Sequence, residues 1–144
     1  MDPANVRPGQ ALGTIHMHPS GRFVYLANRA SGTVDFQGKP VFVGGENSIA
    51  VFAINQETGE PTRIQNMDTH GIHVRTFALD PSGRILIAGN MMELAVREKD
   101  GVKTVPASLA LFRVHADGKL EFVRKYDLNV GSRNLFWMGM VALP

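Results

Sequence analysis

The stretch "HPSGRFVYLANR", His18 to Arg29, is a tight turn running into an apolar strand, and it decides the fold because it is written twice. Its second copy, "DPSGRILIAGNM", runs from Asp80 to Met91, 62 residues further on. In Pro-Ser-Gly the proline fixes φ at the first central position and the glycine tolerates positive φ, which is the chemistry of a hairpin turn. The strands that follow, "RFVYLA" and "RILIAG", are nearly continuous apolar runs and do not alternate. Such a strand is covered on both faces, as when one sheet is stacked between two others. The copies differ at one telling place: the first strand ends on Asn28 and Arg29, whereas the second has Met91 where the arginine stands.

The repeat continues downstream. "NSIAVFAINQETGEPTRIQ" from Asn47 is answered by "ASLALFRVHADGKLEFVRK" from Ala107, with Glu57-Thr58-Gly59 and Ala116-Asp117-Gly118 as turns between a third and a fourth strand. Four short antiparallel strands per repeat is the pattern of a propeller blade, and no segment has a capped helical period, so the chain is expected to be all-β with almost no helix. The organisation reads as a polar N-terminal segment over 1–10, a blade over 11–70 with an insertion at 30–46, a blade over 71–130 with an insertion at 92–106, and the inner strand of a closing blade over 131–144. "VDFQGKPVFVGG" in the first insertion has the makings of a small hairpin, with a tolerated loop as the alternative. This gives about two and a quarter blades of a seven-bladed type of propeller, whereas closed rings carry roughly four to eight. Open blade edges and faces then call for missing N-terminal blades or for self-association of copies.

Composition narrows the function. The apolar fraction is 44%, the formal charge is +2 and the basic residues are scattered, so nucleic acid is not an expected partner. The chain has no cysteine, which excludes disulfides, thiolate nucleophiles and Cys-ligated zinc. The N-terminal "MDPANVRPGQ" lacks an apolar core, and no run approaches the roughly 18 apolar residues that span a bilayer. A cytoplasmic protein without membrane contact is the expectation, unless a leader has been removed.

Strung together, "HPSGRFVYLANR", "NSIAVFAINQETGEPTRIQ", "HVRTFALDPSGRILIAGN" and "SLALFRV" resemble the last two blades of the lactonase family of seven-bladed β-propellers. That family includes propeller-type 6-phosphogluconolactonase and carboxy-cis,cis-muconate lactonizing enzyme. Members have Asn-Arg-Gly at the end of this second strand, its arginine being an active-site residue; here it is Asn28-Arg29-Ala30. Their Pro-Arg-Asn-Phe is here Val74-Arg75-Thr76-Phe77, which keeps the arginine. Their Asp-Ile-His is here Thr14-Ile15-His16, without the acidic residue. The family's remaining active-site histidine, arginine and glutamate belong to earlier blades. The resemblance implies hydrolysis or formation of a small anionic sugar or muconate lactone, with no cofactor and no metal, and little or no activity for this chain measured alone. The alternative is a non-catalytic propeller fragment serving binding or self-assembly.

Lactone hydrolysis builds negative charge on a carbonyl oxygen, which fixed cationic donors stabilise, and the anionic groups of such substrates suit arginine's planar fork. Arg29 and Arg75 are the candidate catalytic residues, strengthened by the internal comparison, since their counterparts are Met91 and Gly13. Asn28, His73, Arg133 and Glu46 are candidate substrate-binding residues. His70 and His73 lie in the loop leading into the strand of Arg75, where either suits a general base or a surface position. His16 and His18 flank Met17 on one strand and point to one face, a spacing that fits a metal but is more economically explained by packing. Trp137 and the methionines of "FWMGM" read as core filling.

Overall fold

The computed structural model describes residues 9–99 and 101–142 and builds three four-stranded sheets. The first blade is β1 (Ala11–Met17), β2 (Phe23–Arg29), β5 (Ser48–Ile54) and β6 (Pro61–Asp68), paired antiparallel in that order. The second repeats it with β7 (Val74–Leu79), β8 (Ile85–Asn90), β11 (Ala107–Val114) and β12 (Leu120–Leu128). All-β propeller blades are what the repeat predicts, and no helix occurs among the described residues.

The Pro-Ser-Gly turns close as their chemistry requires. Gly21 and Gly83 have φ of +70° and +72°, and their amides donate to the carbonyls of His18 and Asp80 at 2.9 Å each. The two turns also touch. His18 accepts the Ser20 amide on Nδ1 (3.1 Å), so its Nε2 carries the proton that goes to the Gly83 carbonyl at 3.0 Å. A Cβ on Gly83 would lie 2.4 Å from that ring. His18 thus joins blade to blade, and no group of three metal-ligating side chains occurs among the described residues.

The blades stack face to face. Phe23, Tyr25, Ala27, Ile49 and Val51 of the first blade meet Val74, Phe77, Leu86, Ala88 and Phe112 of the second in one buried core. Tyr25 is fully buried and donates its hydroxyl to the Gly118 carbonyl at 2.9 Å, tying β2 to the far turn of the other blade. The second strands were expected to be covered on both faces, and only the inner one is. Val24, Leu26 and Ile87 are half-buried and Ile85 is exposed, because no further blade stacks there.

The first insertion forms the hairpin that "VDFQGKPVFVGG" suggested, β3 (Thr33–Phe36) with β4 (Lys39–Phe42), and the second insertion, read only as a loop, is a hairpin too, β9 (Leu94–Glu98) with β10 (Gly101–Val105). The hairpins join through parallel pairing of Val41 with Ala95 and Phe42 with Val96, making a third sheet that bridges the blades. Residues 131–142, expected to form an inner strand, have no strand pairing. A strand exists by its ladder, and here no second strand lies alongside. The segment instead turns back: the Leu135 amide donates to the Met91 carbonyl at 2.9 Å, and the Arg75 guanidinium lies 4.2 Å over the Phe136 ring. Trp137, read as core filling, is therefore 72% exposed.

Candidate functional site

A cavity of about 470 Å³ opens along β1, whose residues Leu12 to His16 form one wall, with Arg29, Arg75, Phe136 and Trp137 completing it. The end of β2 and the start of β7 bring the two arginines to it from different blades. Its lining contains no carboxylate. Loss of water and, secondly, the nearby Arg75 charge hold the Arg29 guanidinium below its usual pKa. Two cations close enough to affect one another, with no acidic residue in the wall, leave a net positive surface that an anion would relieve.

Arg29 is anchored at two points. Its Nε donates to the Leu12 carbonyl at 3.0 Å, and its Nη1 donates to His73 Nε2 at 2.7 Å. Arg75 is tied through its backbone, whose carbonyl accepts the Thr14 hydroxyl at 3.0 Å. On β1, Gly13 lies directly against this segment: a Cβ there would be 2.9 Å from the Arg75 carbonyl oxygen.

The other sequence candidates divide. Asn28 is 1% exposed and faces away from solvent; its Nδ2 donates to Ser48 Oγ (3.1 Å) and Glu46 Oε1 (3.3 Å). Asn90, its counterpart, donates to Ser108 Oγ at 3.0 Å and to the Thr69 carbonyl at 2.9 Å. The same Asn–Ser pair in both blades makes Asn28 a part of the blade. Glu46 is buried, accepting from Asn28 and from Ser48 (2.5 Å), while its backbone is clamped by the Gln10 side chain at 2.9 Å. Arg133 is exposed in a turn and does not line the cavity. His70 packs against Phe122 with ring centroids 4.0 Å apart.

His73 is 7% exposed and is not part of the cavity wall. Burial, then Arg29, then Arg75 push its pKa down to about 4. Its lone pair on Nε2 is taken by Arg29, so it is not placed to accept a proton from water. His16 is the titratable side chain in the cavity wall besides the arginines; its ring lies edge-on to Phe77 at 5.0 Å. Sequence reading placed it in a histidine pair and at the end of Thr14-Ile15-His16, the counterpart of the family's Asp-Ile-His, without making it a site candidate. It also missed Asn47, whose Oδ1 accepts the amides of Ala30 (3.0 Å) and His73 (2.8 Å). The signal was present, since Asn47 is Ala107 in the second copy, the same kind of asymmetry that singled out Arg29.

Stacked four-stranded blades with two arginines meeting at the seam define a segment of a β-propeller. Residues 1–97 match the lactonase family of seven-bladed β-propellers, and the chain belongs to that family. It is 37% identical over 76 residues to 6-phosphogluconolactonase of Formosa agariphila and 38% identical over 76 residues to that of Bacillus subtilis. Each match covers 53% of this chain and 18% of the relative. Among solved structures, it is similar to the periplasmic gluconolactonase of Pseudomonas aeruginosa, with TM-score 0.63, 19% identity, and 93% of this chain aligned to 30% of that one. A Lactobacillus plantarum protein gives TM-score 0.60 and 25% identity, with 93% of this chain aligned to 32% of that chain. The chain is thus a partial homologue of propeller-type 6-phosphogluconolactonases and spans less than a third of the length of these relatives.

Proposed function

We propose that this chain supplies part of the catalytic mouth of a propeller lactonase acting on a small anionic lactone. The observation that carries the reading is the convergence of Arg29 and Arg75 on one cavity whose wall holds no carboxylate. One guanidinium holds the substrate's phosphate or carboxylate, and the other stabilises the oxyanion as water adds to the lactone carbonyl. His16, in the same wall, is the residue of this chain placed to move a proton. The names of the relatives favour a phosphorylated sugar lactone.

Binding of inorganic phosphate tests the proposal. Arg29→Met, which copies the second repeat, and Arg75→Met are expected to weaken phosphate binding roughly ten- to hundredfold each, the loss of a hydrogen bond to a charged group. Unchanged binding in both variants would overturn the reading. A second reading, in which the chain self-assembles through its blade faces, is favoured by the exposure of Leu12, Ile15 and Met17 along β1 (54–61%). Light scattering separates the two, since a monomer that binds phosphate leaves only the first.

A further inference from the structure

We propose that His73 is a positioning residue for Arg29, a neutral imidazole at the blade seam whose Nε2 lone pair aims the guanidinium at the cavity. The inference rests on the reading of that cavity as an anion site. Guanidinium offers only donors, so the 2.7 Å contact from Nη1 makes His73 Nε2 the acceptor and places the ring proton on Nδ1. Nδ1 is buried and has no partner among the described residues. With Nε on the Leu12 carbonyl and Nη1 on His73, the plane of the fork is fixed, and three of arginine's five N–H groups remain for a ligand.

The ring's own placement is enforced. His73 has φ of +60°, in the left-handed region that a non-glycine residue enters only when its surroundings hold it there. Its amide donates to Asn47 Oδ1 at 2.8 Å and its carbonyl accepts the Met91 amide at 3.0 Å, so both blades hold the residue in that conformation. The charges acting on the ring are Arg29 from β2 and Arg75 from β7, both opposing its protonation after burial has done so. The carboxylate of the adjoining loop, Glu46, is engaged with Asn28 and Ser48. A carboxylate in place of His73 would orient Arg29 equally well but would cancel its charge. A neutral imidazole orients the guanidinium and leaves the charge for the ligand.

The test begins without ligand. Nitrogen NMR of the histidine rings should show His73 as the Nδ1–H tautomer, titrating near pH 4. An Nε2–H tautomer, or titration at the ordinary value, overturns the proposal. Phosphate binding then compares three variants. His73→Phe removes the acceptor and should weaken binding about tenfold or more. His73→Gln supplies an amide oxygen and should restore binding to within about threefold, and His73→Glu should abolish it by neutralising Arg29. A His73→Phe protein that binds phosphate as the parent does refutes the positioning role. If His73→Phe does not fold, the Gln and Glu variants and the ring tautomer decide. If the parent protein binds no phosphate, the anion-site reading falls, while the tautomer and the Arg29 Nε–H resonance in His73→Gln still decide whether His73 orients the guanidinium.

Discussion

Gly13 explains why one blade carries no side chain where the other carries Arg75, and its replacement gives a quantitative prediction. A methyl at Gly13 would stand 2.9 Å from the Arg75 carbonyl oxygen, 3.1 Å from that of Val74 and 3.0 Å from Ala27 Cβ, all shorter than ordinary contact. None of these is a flexible side-chain end, so relief requires β1 to move off β7. Overpacking of this kind costs about 1–3 kcal/mol. Alanine recovers roughly 0.4–1 kcal/mol by restricting the unfolded chain. Gly13→Ala should therefore lose about 1–2 kcal/mol, which is about 0.5–1 M in the urea midpoint for a slope near 2 kcal/mol/M, with the slope unchanged. The Arg75 carbonyl that meets the new methyl is also the acceptor of the Thr14 hydroxyl, so phosphate affinity should fall with stability. A variant with the parent's urea midpoint, or a higher one, would refute the claim that the seam between β1 and β7 is close-packed at this point.

Tyr25→Phe should cost about 1–2 kcal/mol in urea unfolding, because it leaves the Gly118 carbonyl without its buried donor. Acidification should destabilise the fold between roughly pH 6.5 and 4: the unfolded chain takes up a proton on His73 near 6.5 while the folded one resists until about 4, so stability is complete above the window and lost through it. The loss attributable to this residue is about 3 kcal/mol, read as the difference in pH slope between the parent and His73→Gln. Val96→Pro should remove the ladder that joins the hairpins, exposing the Val41 and Phe42 region of β4 to hydrogen exchange while the blade core keeps its protection. Equal loss of protection in β2 and β8 would mean that the third sheet is integral to the blades.

The blades were legible because their determinants are local. Pro19-Ser20-Gly21 and Pro81-Ser82-Gly83 dictate turns by backbone chemistry, and the strands beside them pair with the next segment of chain. The third sheet was not, since its join is two parallel residue pairs between hairpins more than 50 positions apart, brought together only once the blades have stacked. Residues 131–142 misled for the opposite reason: their apolar sequence fits a strand, but pattern cannot provide the neighbour a strand needs. Within the site, Arg29 and Arg75 stood out as departures from the repeat. The comparison that singled out Arg75 was partly steric in origin, because the backbone of β7 leaves no room for any side chain at Gly13.

The position of Arg29 answers what an arginine does at the end of a buried strand. Its twin, Met91, holds the His73 carbonyl through its amide, while Arg29 holds the His73 ring through its guanidinium. The two equivalent strand ends thus grip one residue from opposite sides, one by backbone and one by side chain. Asn47 Oδ1 fixes the His73 amide between them, and Leu135, bonded to the Met91 carbonyl, carries the chain on to Phe136 beneath Arg75. Each arginine is therefore held in part by contacts that its own blade does not contain: the His73 ring for Arg29, whose Nε stays on the Leu12 carbonyl of its own blade, and the Phe136 ring for Arg75. A single blade would have the same strands and turns and would leave Arg29 with one anchor, the Leu12 carbonyl, instead of two. The meeting of the two arginines is a property of the seam, and whatever separates the blades should disorder the arginines before it unfolds the strands.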